Sequence, residues 1–197
     1  IRERAPQITE VSVERIRDEL ERMCTQSPPA AAFKLLEESG LWRSVLPEVE
    51  PTQSLRARIH RAGKLTPFAA WTLICSEVSP KQASALCRRM KLSSAATRHI
   101  EGAVAILHAL RDYPSLNVVA RKRLLRRQEA ATALEIAALA PPIGLHTAHE
   151  DLASWSTADM HPGALVTGAD LIAAGRAPGP GFKRALEAVE DAQLEGL

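Results

Sequence analysis

The stretch LVTGADLIAAGRAPGPGFKRALEAVEDAQLEG, residues 165 to 196, reads as helix, turn, helix. Thr167 is placed to N-cap the first helix, Asp170 sits in its first turn where a carboxylate suits the positive end of the macrodipole, and Gly175 is placed to close it as a left-handed residue. Pro178, Gly179, Pro180 and Gly181 make the turn, and the second helix is predicted to begin near Phe182. No acid precedes Glu187 in that helix, while Arg176, Lys183 and Arg184 flank its start. Free backbone N–H groups and cations therefore point at one place, an anion site in outline. The plainer alternative is a simple interhelical turn, because Pro-Gly is also how a helical hairpin closes.

Outward from that hairpin the rest of the chain is also helical in character. Aromatic residues make up only 4% of the 197, and Ala, Leu, Arg and Glu dominate, so the core has to be built from aliphatic helix faces in an all-α fold. Ser27 with Pro28, Thr66 with Pro67, and Ser79 with Pro80 each pair a capping hydroxyl with a proline at the first helical position. Before them, Val13, Ile16, Leu20 and Met23 recur on one face behind a candidate cap at Ser12. Gly40 ends the helix that begins at Pro28, and Leu41, Trp42, Val45 and Leu46 read as core. Residues 66–78 and 79–92 are predicted to form a helical hairpin joined at Ser79, with Phe68, Trp71, Leu73, Ile74, Leu86 and Met90 available for burial. A long helix follows from about Ala95 to Asp112, and NVVARKRLLRRQEAATALEIAALA, residues 117 to 140, reads as another, broken by Pro141 and Pro142. These features divide the chain into residues 1–50, a helical body at 51–140, a linker with one short helix including Leu152 and Trp155 at 141–162, and the tail hairpin at 163–197.

Net charge is +2, but it is unevenly spread. Residues 1–50 carry 7 basic and 10 acidic side chains, residues 51–127 carry 15 and 3, and residues 128–197 carry 3 and 10. A middle third at +12 inside an otherwise acidic chain points to a polyanionic partner; solvated helix faces are the alternative. Arg121, Lys122, Arg123, Arg126 and Arg127 are the densest cluster, and Arg56, Arg58, Arg61 and Lys64, with His60 among them, form a second basic stretch. Together with Arg176, Gly179, Gly181, Lys183 and Arg184 of the tail, these are the candidate contacts for such a polyanion.

Two stretches carry a family resemblance. HPGALVTGADLI, then G-x-x-PGP and a helix ending DAQLEG, resembles the tail of the bacterial class II tRNA nucleotidyltransferases, the CCA-adding enzymes and their poly(A) polymerase relatives. VSVERIRDELERM, followed by PAAAFKLLEESGLWRSVLPEVE, resembles the neck-to-body segment of the same family, described there as an RNA-binding domain. The two lie in the right order at opposite ends, while residues 51 to 140 match only in helical character. The resemblance implies a poly(A) polymerase C-terminal type of fold whose body and tail hold tRNA through its sugar-phosphate backbone. It also implies a parent that extends RNA 3′ ends with ATP, CTP and Mg2+ from a catalytic head upstream. IRERAPQI, with no initiating methionine, reads as the end of a helix already under way and predicts a piece of a longer chain.

Catalytic chemistry is not written in these residues. Nucleotidyl transfer needs close carboxylates for two divalent metals, and no Asp-x-Asp pair, Gly-Ser turn or His-Asp doublet occurs. AAWTLICSEVS, where an HD-type body would carry its doublet, offers Glu77 alone as a hard ligand. His99 and His108 are nine apart on one helix, and His146, His149 and His161 lie about a proline-bounded linker, so neither set is read as a metal site. There is no Walker loop, dinucleotide fingerprint or Gly-x-Ser-x-Gly, and GRAPGPG lacks the strand that a nucleotide loop follows. Cys24, Cys75 and Cys87 are odd in number and scattered, as reduced thiols of a cytoplasmic protein would be. No apolar run is long enough to span a membrane. An RNA-holding region that is itself inert is thus one reading. The other is a helical protein-interaction module that does not bind RNA, and the acidic tail favours it.

Overall fold

The computed structural model describes residues 2–196. Among them are thirteen α-helices, two 3-10 segments and no strand, the all-α architecture that the composition requires. The chain parts into two compact units that are not consecutive in sequence: residues 1–111 with 128–145, and residues 112–127 with 146–197.

The first unit opens with a 3-10 segment (Arg2–Glu10) and continues through α1 (Val13–Thr25), α2 (Ala30–Ser39), α3 (Leu41–Val45), α4 (Gln53–Arg61), α5 (Pro67–Ile74), α6 (Pro80–Arg89) and α7 (Ser94–Ala109), to which α9 (Ala130–Ala138) is added. Two of the three hydroxyl-proline signals act as read. Thr66 accepts a hydrogen bond from the Ala69 N–H, and Ser79 forms a reciprocal capping box with Gln82. The third does not. Pro29 follows Pro28 directly and disfavours helical backbone there, so α2 starts at Ala30 with Pro29 as its cap and no side-chain bond. Gly40 adopts φ 79°, the left-handed cap that lets α2 stop and α3 begin at once.

From Ala69 to Ile74 every residue of α5 is buried, and the helix packs on α1, α7 and α9. A helix apolar on all sides needs partners on all sides, which places it at the centre of this unit. The expected hairpin of α5 with α6 is corrected accordingly: α6 packs chiefly on α7. Trp71 donates its indole N–H to Glu21 at 2.8 Å and Trp42 donates to the Val49 carbonyl at 2.6 Å, so both large rings are buried with their polar atoms satisfied. Phe68 departs from its expected core position. It is 42% exposed and stacks on His99 with ring centroids 4.3 Å apart.

The second unit contains the 3-10 turn Tyr113–Ser115, α8 (Val118–Leu125), most of α10 (Gly144–Ser154), α11 (Thr157–Met160), α12 (Gly168–Ala173) and α13 (Pro180–Glu195). The helix expected over residues 117–140 is thus two, α8 and α9. No glycine or proline marks the break at residues 126–129; α8 packs on α13 whereas α9 packs on α5 and α7, and these separate partners override local propensity. The linker also holds two helices rather than one, and Trp155 falls just beyond the end of α10. In the tail, Thr167 and Asp170 form a capping box, Gly175 takes φ 76°, and α12 packs on α13. The second tail helix starts at Pro180, two residues before the expected position.

Candidate nucleic-acid interface

α8 is formed by VVARKRLL behind an Asn117 cap whose side-chain oxygen accepts from the Ala120 N–H at 2.8 Å. Its cations are engaged within their own unit. Lys122 is only 6% exposed, donates to the Leu194 carbonyl at 2.8 Å, and lies 5.4 Å from the Trp155 ring centroid. Leu194 is in the last turn of α13, where carbonyls lack helical partners and a cation complements the dipole. Arg123 pairs with Glu190 at 3.0 Å and Asp191 at 2.7 Å, and Arg126 pairs with Glu190 at 2.9 Å. Hydrogen bonds from Arg126 and Arg123 hold the Glu190 carboxyl below its ordinary value of 4.5. Two cations of the densest positive cluster, Arg123 and Arg126, thus have acids of the final helix as counterions, and a third, Lys122, holds a carbonyl of that helix.

Arg121 serves the same unit differently. Its guanidinium donates to the Leu116 carbonyl at 2.9 Å, lies 5.3 Å from the Tyr113 ring centroid and approaches Asp151 at 3.5 Å. The Tyr113 hydroxyl donates to the same Asp151 at 2.8 Å, and burial together with that carboxylate pushes the phenol well above its ordinary range. This Tyr113–Asp151–Arg121 network was not legible in sequence, where Tyr113 signalled only a helix end. Arg127 is exposed, though not without a partner.

In the first unit, α4 separates its cations by face. Arg58 is 7% exposed and points inward to an ion pair with Glu77, also donating to Ser54 at 3.1 Å. Arg56 pairs with Glu37 at 2.8 Å and Arg61 donates to the Leu139 carbonyl at 2.9 Å, both from exposed positions. His60 and Lys64 are exposed. Glu77 is thus an arginine partner rather than a metal ligand. His99 bonds Thr132 and His108 bonds the Ser76 carbonyl, both part-buried structural contacts.

At the start of α13 the caps are backbone alone: Gly179 is extended, with no side-chain cap bond. A Cβ at Gly179 or Gly181 would meet nothing within 4 Å, so this approach is open. Arg176, Lys183 and Arg184 are exposed around it, and Lys183 makes one loose pair with Glu187 at 3.7 Å. His146 pairs with Glu150 at 3.3 Å on the surface of α10. Among the described residues no group of three His, Cys, Asp or Glu stands where it could hold a metal ion, and no helix is long and apolar enough to cross a membrane. The three cysteines are buried and free of disulfides.

Comparison with known proteins adds two matches and two negatives. A family model described as "tRNA nucleotidyltransferase domain 2 putative" matches residues 66–197, and one described as "Probable RNA and SrmB- binding site of polymerase A" matches residues 1–52. No curated protein and no solved structure matches the chain.

Proposed function

From the premise that the chain belongs to the tRNA nucleotidyltransferase domain 2 family, as a neck-to-tail region of the tRNA nucleotidyltransferase and poly(A) polymerase type, we propose that it holds tRNA so that the RNA 3′ end reaches a nucleotide-adding head. The observation that carries this reading is the order of the two matches, an RNA-binding segment followed by the nucleotidyltransferase second domain. Contacts to phosphate position an RNA without reading its sequence, and exposed cations suffice for them. Lys64, Arg61 and Arg56 on one unit, and Arg176, Lys183 and Arg184 around the open backbone of Gly179 and Gly181 on the other, supply such contacts; Arg127 adds an exposed cation just past the end of α8. Arg58, Arg121, Lys122, Arg123 and Arg126 act mainly as the scaffold beneath. Magnesium, ATP and CTP belong in this reading to the head, and no residue of this chain is assigned to them. The setting is the cytoplasm, which buried free thiols suit.

A second reading, a protein-interaction module that does not bind RNA, is favoured by one specific observation: the α8 cations already face carboxylates and carbonyls of their own unit. Binding of whole tRNA and of an acceptor minihelix that lacks the elbow separates the two. K183A/R184A should leave helicity intact, weaken binding of whole tRNA and hardly affect the minihelix. Equal loss for both RNAs, or no loss, removes the tail from the interface; no binding of either RNA by the wild-type chain supports the protein-interaction module.

A further inference from the structure

α6 and α7 enclose a groove of about 260 Å³ lined by Ser84 and Arg88 from the first helix and Ser94, Thr97, Arg98 and Glu101 from the second. Its polar groups are unusually short of partners. Thr97 is 5% exposed and its hydroxyl oxygen has no hydrogen-bond partner among the described residues, although buried polar atoms are normally paired. Among the described residues Arg98 and Glu101, three apart on one helix, make no ion pair with each other, though that spacing allows one. Arg88 spends one guanidinium nitrogen on the Ser84 hydroxyl at 2.9 Å and leaves the remainder of its planar fork available. Two arginines from different helices, one carboxylate and the side chains of Ser84, Ser94 and Thr97 thus line a concave site where Leu92 is the apolar residue.

We infer that this groove seats one sugar-phosphate unit of RNA, the phosphate between Arg88 and Arg98 and the ribose 2′-hydroxyl on Glu101. The inference rests on the RNA-holding reading above and adds to it a site that composition did not mark. Charge decides the assignment. A phosphodiester carries one negative charge, which two guanidinium groups overcompensate and the carboxylate then balances. A groove for inorganic phosphate or a free dianion gains nothing from Glu101, which repels it. A carboxylate accepts a hydrogen bond from a 2′-hydroxyl, and that hydroxyl is the group by which a protein tells RNA from DNA. Ser94, exposed at the start of α7, donates to a phosphate oxygen.

The test uses the 197-residue chain with a labelled single-stranded oligoribonucleotide, its deoxy counterpart and whole tRNA, read by fluorescence anisotropy over a salt series. R88A/R98A should weaken both oligonucleotides about tenfold and reduce the salt slope by roughly one unit, since a phosphate partner has been removed. E101A, which removes the acceptor, should abolish the preference for RNA over DNA while leaving the DNA affinity equal or higher. Circular dichroism confirms that each variant remains folded. An RNA preference and salt slope that survive R88A/R98A and E101A, while whole tRNA still binds, overturn the groove but leave the RNA-holding reading standing. Failure of the wild-type chain to bind any of the three nucleic acids overturns both.

Discussion

Arg58 and Glu77 form an ion pair from which water is largely excluded, the Arg58 side chain being 8% exposed and that of Glu77 18%. Removing one partner leaves the other charge desolvated, so Glu77→Gln should destabilise the chain by roughly 3 kcal/mol, measured by chemical denaturation. Replacing exposed Lys64 by Ala should change stability by less than about 0.5 kcal/mol. Sequence shows that both are cations in one basic stretch but not that one points inward, because its partner lies 19 residues away in the turn after α5. Cys24 makes a related case. Burial pushes its thiol up to about 12, so at neutral pH it should react with thiol reagents only as the chain unfolds, a result that mass spectrometry of labelled protein would show. Labelling at the rate of a free thiol in the folded chain would mean that Cys24 is accessible.

α8 and α13 form the element pair where charge does its structural work. Glu190 has a depressed folded-state pKa, so its contribution is fully present above the unfolded value of 4.5 and is lost as pH falls through the folded one. Hydrogen exchange should therefore show α13 amides losing protection as the pH is lowered below the ordinary carboxylate range, after correction for intrinsic exchange rates. Glu190→Gln should remove that pH dependence. Lys122→Ala should cost more than Arg123→Ala, about 1–3 kcal/mol, because it strips the hydrogen bond from a buried carbonyl whereas the Arg123 pairs are partly exposed. The capping signals at Thr66, Ser79 and Thr167 were legible because cap chemistry is local. The α8–α9 break was not, since nothing in residues 126–129 forbids a helix and only distant partners divide it. Pairing of Arg123 and Arg126 with an acid more than 60 residues on is invisible for the same reason.

For the whole molecule, the charge asymmetry was legible and its meaning only in part. Some of the +12 of residues 51–127 balances acids elsewhere in the chain, which lowers the number of cations an RNA meets. The tail and neck patterns pointed to the family because they stand in its order at opposite ends of the chain, and the body between them, most of which the second-domain family model also covers, holds the α6–α7 groove that composition left unmarked. Affinity for whole tRNA measured against salt concentration decides whether exposed cations hold RNA. The expected result is a logarithmic affinity that falls linearly with logarithmic salt. K183A/R184A should reduce that slope by roughly one unit for each phosphate no longer neutralised, and R123A/R126A should leave it nearly unchanged. A slope near zero for the wild-type chain, or one that collapses with R123A/R126A alone, would contradict it.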